Sequence, residues 1–265
     1  MTTTSVHRDP PAHSTMLSLK HAVLMEWTKL VSLRSYRWLM SLTALVTVAF
    51  GTVFTLLAAT TDLAGRADAG DPLEMSFVST GLARLAVLVL GALLITSEFS
   101  SRQASTTFAA APRRWQVLAG KATVLAGALF AIGTVAAGSL LIIARLLFAQ
   151  YHIPVLTSTG TQFRLVFGTG FQLALCGLMA LGLGALIRSS AGTLVTTLTL
   201  FLLLPTVSFA MEHIQPYLPS ATASSITSID SLPGHLSPLT ACAATLAWAG
   251  AILAVGALSL EKRDI

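Results

Sequence analysis

Over 265 residues the chain is 54% hydrophobic and only 10% charged, with a formal net charge of +5. An ordinary soluble domain carries about 25% charged residues, so this composition excludes a soluble fold and points to a polytopic, all-α membrane protein. The positive balance does not indicate nucleic acid as a partner, because the charge gathers between and beside apolar runs instead of forming one basic face.

Residues 1–15, "MTTTSVHRDPPAHST", are polar with adjacent prolines, and the composition predicts a disordered tail. From 16 to 35, Leu17, His21, Leu24, Trp27, Leu30 and Val31 recur at helical spacing while Lys20, Lys29 and Arg34 face elsewhere. This predicts an amphipathic helix lying on the membrane surface. The remainder, 36–265, reads as a six-span domain with spans at about 38–60, 77–97, 122–148, 165–187, 191–211 and 239–260, each near the roughly 20 apolar residues that cross a bilayer. A β-barrel would show short alternating segments instead.

Twelve of the 16 Lys and Arg residues fall in the N-terminal tail, the second and fourth connections and the C-terminal tail. The positive-inside rule therefore places both termini in the cytoplasm and the protein in the cell membrane. Trp27, Trp38 and Trp115 fall at the expected cytoplasmic boundaries, where an amphipathic ring anchors depth. Trp248 lies within the last span and reads as a packing residue.

Within the spans, Gly170, Ala174, Gly177 and Gly184 share one helical face and allow close helix packing, inside the bundle or along a path between subunits. Pro205 interrupts the fifth span and predicts a kink. The segment 212–238, with Pro216, Pro219, Pro233 and Pro238, predicts one or two short helices at the outer interface. Arg84 and Arg145 sit near outer span ends, where a long side chain snorkels to the interface or contacts an anionic group.

No cluster of nucleophilic or ionisable residues assembles in the spans, so the chain reads as having no catalytic, cofactor or metal site of its own. Glu212, His213, Asp230 and His235 share one external segment but read as solvated. The fragment "AGKAT" lacks the first glycine of a phosphate-binding loop and has Ala122 after Lys121, so ATP would have to be used by a partner. Cys176 and Cys242 each fall in a span and imply no disulfide framework.

Charge concentrates in "ITSEFSSRQASTTFAAAPRRWQVLAGK", residues 95–121. Glu98 precedes Arg102 by four residues, the favourable order for a helical pair. Phe108 and three alanines lead to Pro112, which should end a short helix before Arg113 and Arg114. Together with "EWTKLVSLRS" at 26–35, "EKRDI" at the C-terminus and the six-span layout, this stretch resembles the permease subunits of type-2 ABC transporters, especially the actinobacterial kind. Arg102 stands where relatives commonly have a glycine.

That resemblance implies a homo- or heterodimer of six-span units in the bilayer, carrying separate ABC ATPase subunits that use the ATP. It implies an exporter in which residues about 102–114 form the coupling element, with Glu98 tethering that element to its span and Arg113 and Arg114 meeting the ATPase or headgroups. The alternatives are a permease-like interaction subunit of a sensing or resistance complex and, less favoured for want of acidic residues in the spans, an ion-coupled transporter.

Overall fold

A computed structural model of the chain describes residues 14–61, 71–100, 114–207, 213–229 and 236–262. Among these, every regular element is helical: α1 (Ser14–Ser32), α2 (Arg34–Thr60), α3 (Pro72–Phe77), α4 (Ser79–Ser100), α5 (Arg114–Gln150), α6 (Thr159–Ile187), α7 (Ser190–Leu198), α8 (Leu204–Val207), α9 (Pro219–Ser225) and α10 (Pro238–Lys262). Five helices are long and apolar enough to cross a membrane, and the chain is a multi-pass membrane protein.

Local chemistry sets the helix ends. Leu33 is extended, at φ −76° and ψ 120°, so α1 stops and α2 starts afresh one residue later. The last residues expected of the surface helix, 34 and 35, therefore belong to α2. Asp71 caps α3 by accepting from the Leu73 N–H, with Pro72 in the first helical position where its missing donor costs nothing. Ser158 caps α6 and Ser189 caps α7, and Arg188 between them ends α6 in the left-handed region at φ 59°. Inside the long helices, threonine hydroxyls donate to the carbonyl one turn back, as Thr43, Thr47, Thr52 and Thr55 do along α2. Thr134 of α5 and Thr197 of α7 are exceptions among the described residues, their buried hydroxyls having no hydrogen-bond partner.

The helix α6 is the centre of the bundle, with 78% of its apolar stretch buried, against 22% for α10 and 28% for α2. It packs on α4, α5 and α10. Its glycines make this possible: a Cβ on Gly91 of α4 would run into the Gly177 carbonyl, and one on Gly256 of α10 would lie 2.7 Å from the Gly182 carbonyl. The face of Gly170, Ala174, Gly177 and Gly184 thus packs within the chain, Gly170 and Gly177 against α5 and Gly184 against Ile95 of α4. Apolar side chains left uncovered, such as Leu45, Val53, Val135, Ile142, Leu246 and Val255, lie on the outer faces of α2, α5 and α10.

Two of the expected spans differ in extent. The helix expected at 122–148 is α5, 37 residues long, about 55 Å at the usual rise, and it overshoots a roughly 30 Å hydrocarbon core. The span expected at 191–211 is, over the described residues, the shorter apolar stretch Ser190–Thr206. The kink expected at Pro205 takes the form of a π-helical turn, Thr199–Leu203, immediately before it. The wider turn accommodates a ring that an α-helix would press against the carbonyl four residues back.

The segment after α8 holds a 3-10 turn, Gln215–Tyr217, and α9. One or two short helices were expected here at the outer interface; α9 is a short helix, and its Ser220, Thr222, Ala223 and Ser225 are buried against the bundle. Trp248 contributes more than packing, since its Nε1 donates to the Tyr217 carbonyl at 2.9 Å. We term the end of the bundle that holds α1 the near end and the end that holds α3 and α9 the far end.

Candidate functional site

At the near end, α1 lies against α5 and α2. Its expected apolar face divides in two. Leu30 is buried on the core, whereas Leu24, Trp27 and Val31 are exposed on one flank of it. On the other flank α1 presents Glu26 and Lys29, one helical turn apart, toward the bundle.

Those two side chains meet Glu98, near the end of α4, and Lys121, two turns into α5. Lys121 Nζ lies 2.8 Å from Glu26 Oε2 and 2.7 Å from Glu98 Oε1. Lys29 Nζ lies 3.1 Å from Glu26 Oε1 and 3.2 Å from the same Glu98 oxygen. Two cations and two carboxylates alternate in a ring whose formal charge is zero. Lys121 is 1% exposed, Glu26 6% and Glu98 8%. Burying ions this deeply is costly unless each finds good partners, and here Lys121 donates to both carboxylates.

Lys29 differs in being partly open to solvent. Burial works against its charge, but the Glu26 and Glu98 carboxylates outweigh it and hold the ammonium above its ordinary value of 10.5. The four ion pairs of this ring are the ones found among the described residues. Beside them Tyr36 of α2 shares a hydrogen bond with Ser97 of α4 at 3.2 Å. Arg188 sits over the Phe99 ring at 5.7 Å and donates to the Ser259 carbonyl, joining α4, α6 and α10.

Of the residues expected in the coupling element, Glu98 is brought into this ring. Its partners there are Lys29 on α1 and Lys121 on α5, whereas the Glu98 to Arg102 pairing falls outside the described residues, as do Arg102, Phe108, Pro112 and Arg113. Arg114 opens α5. Trp27, Trp38 and Trp115 all lie at the near end and are exposed, Trp38 by 74%. Trp38 joins Arg34, Arg37 and Ser41 in lining an open cleft at the start of α2.

At the far end, the snorkelling expected of Arg84 is not what the side chain does. Arg84 is 8% exposed and turns inward. Its Nη1 donates to the Ser220 carbonyl of α9 at 3.1 Å. With its amide oxygen turned to the guanidinium, Gln172 of α6 accepts from Nε at 3.2 Å and from Nη2. The inward course is set by these acceptors: a guanidinium with carbonyls in reach gains more from them than from a longer path to the interface. Arg145 remains exposed on α5. Arg164 of α6 donates to the Ile226 and Ser228 carbonyls, fixing the segment that follows α9. His213 is described, whereas Glu212, Asp230 and His235 lie outside the described residues. Among the described residues no three His, Cys, Asp or Glu side chains gather as a metal site would require.

The sequence reading passed over Glu26, Lys29 and Lys121 as a group, and Gln172 altogether. One signal was present: Glu26 and Glu98 are acidic residues placed in otherwise basic near-end segments. An acid held in such company has a reason to be there, and pairing is the simplest. All four ring residues lie in the two charged stretches 26–35 and 95–121. The chain matches no protein-family model and no curated protein.

Proposed function

We propose that this chain is the permease subunit of an ATP-driven exporter of the type-2 ABC kind, working in a dimer with a separate ATPase that uses the ATP. On this reading the near end is cytoplasmic, which agrees with the cations it collects: Lys29, Arg34, Arg37, Lys121, Arg188 and Lys262. Trp27, Trp38 and Trp115 mark the depth of that interface.

The observation that carries the proposal is the buried ring. It joins α1 to the two helices that flank segment 101–113, α4 before it and α5 after it. A load applied to that segment, or to α1, reaches both helices together, because any relative displacement must open pairs at 2.7 to 3.2 Å in a poorly solvated place. From α4 and α5 the load passes to the central α6 through glycine contacts that leave little slack. An ATPase docked on the segment would thereby move whole helices and not a loop.

The test is affinity purification of the tagged full-length protein from its native membrane in mild detergent, with mass spectrometry of what accompanies it. An ATPase bearing the phosphate-binding loop that this chain lacks is expected, and Arg113→Glu with Arg114→Glu should release it while membrane insertion is kept. Recovery of no such ATPase under conditions that preserve other membrane complexes would refute the proposal.

A further inference from the structure

An open groove of about 550 Å³ lies among α5, α6, α10 and the segment that follows α9. Arg164, Phe167 and Phe171 follow one another at intervals of three and four residues along α6, so they share one helical face. From the first to the last the groove runs about 10 Å along the helix, away from the far end. Phe130 of α5 and Leu239 and Cys242 of α10 close its sides. Arg164 is the one charged residue of the lining, and the other lining residues are apolar.

The Arg164 guanidinium is held from one side and partly exposed on the other. Its Nη2 donates to the Ser228 carbonyl at 2.9 Å and its Nη1 to the Ile226 carbonyl at 3.4 Å. Those two bonds orient the side chain at the groove and engage two of its five N–H donors. Both acceptors are neutral, and among the described residues no carboxylate lies within ion-pair distance of it. A fixed cation with donors to spare, at one end of an apolar trough in a membrane protein, fits an amphiphile whose polar end is an anion.

The lining narrows the choice further. It holds no acidic side chain, so the ammonium of a zwitterionic headgroup finds no partner there. A hydrocarbon alone leaves the guanidinium uncompensated, and a water-soluble anion leaves the phenylalanine rings bare. We propose that the groove holds an anionic phospholipid of the surrounding bilayer, its phosphate on the free N–H groups of Arg164 and one acyl chain along Phe167, Phe171 and Phe130. The volume falls within the roughly 300–1,000 Å³ of small-molecule sites. Bound there, the lipid bridges three helices and stabilises the folded protein by mass action. This inference does not rest on the ATPase-coupling reading, and its test contains neither nucleotide nor ATPase.

The experiment uses the full-length protein, delipidated in a neutral detergent, and follows binding by native mass spectrometry and by the labelling of Cys242 with a maleimide. Cys242 lines the groove and is partly exposed, whereas Cys176 is buried, so the native chain carries its own reporter of occupancy. The probes are phosphatidylglycerol, phosphatidylcholine and phosphatidylethanolamine of equal chain length, with glycerol phosphate as an anion that has no chains. Phosphatidylglycerol should bind about tenfold or more tightly than the two zwitterionic lipids and should slow Cys242 labelling. Glycerol phosphate should not slow it. Arg164→Gln should bring phosphatidylglycerol down to the affinity of phosphatidylcholine. Should that variant fail to fold, Leu239→Glu decides: position 239 is 83% exposed in the first turn of α10, where an acid is tolerated, and the new carboxylate enters the groove with Arg164 in place. It should abolish the preference for phosphatidylglycerol. Equal binding of the three lipids, labelling of Cys242 unaffected by phosphatidylglycerol, equal protection by glycerol phosphate, or a preference unchanged in Leu239→Glu overturns the proposal.

Discussion

Lys121 at the near end and Arg84 at the far end are both cations removed from solvent, 1% and 8% exposed, but they are compensated in opposite ways. Lys121 touches two carboxylates and belongs to a ring of zero net charge. Arg84 touches a backbone carbonyl and an amide, both neutral. The first arrangement is closed: every charge has its counter-charge within the chain, so its consequence is mechanical, the fastening of α1 to α4 and α5. The second holds its charge by neutral groups alone, so its consequence is to tie α4 to α6 and α9 without a counter-charge.

The comparison predicts a graded series of substitutions, read as unfolding midpoints in detergent. Lys121→Met leaves two buried carboxylates with only the partly solvated Lys29 to compensate both, and should cost about 3–5 kcal/mol. Arg84→Met strands only neutral acceptors, so its cost should be nearer 1–3 kcal/mol. A larger loss for Arg84→Met than for Lys121→Met would break the distinction between charge-paired and neutrally held sites.

Lys29→Met should cost least, about 1 kcal/mol or below, because its ammonium is partly solvated and Lys121 still holds both carboxylates. Its pH behaviour follows from the same contacts. The folded-state value is raised above 10.5, so the stabilisation is complete below pH 10.5 and is lost only as pH climbs through the raised value. Midpoints of the wild type and Lys29→Met should therefore keep a constant difference between pH 7 and pH 9. A difference that shrinks across that interval would place the ammonium in a different environment.

The same two sites show what a sequence carries. The apolar runs declared the helices, because length and continuity of apolar residues are read locally. Position along the span was also legible: Arg84 was placed near a span end, and it stands in the second turn of α4. Its direction was not, since that depends on Ser220, a partner 136 residues away, and on the path of a segment rich in proline. Glu98 was singled out, but a neighbour four residues on is the nearest partner a sequence can suggest, and the actual ones stand on α1 and α5. Lys29 is 69 residues away and Lys121 is 23. The small-residue face of α6 announced close packing without naming its partner helices. At Pro205 the sequence marked the position of a distortion, and the carbonyl spacing of the whole turn decided that it would be a π turn.

The claim on which the account most depends is that the ring fastens α1 to the helices flanking the 101–113 segment. Hydrogen exchange by mass spectrometry, on the full-length protein in lipid nanodiscs, compares residues 23–32 in the wild type and in Lys121→Met, with α6 as the internal reference. The account predicts that exchange in α1 accelerates by about tenfold or more in the variant while α6 stays protected. Exchange in α1 that is unchanged by the loss of Lys121 would show that the helix is held by other contacts, and the ring would lose its role in transmission.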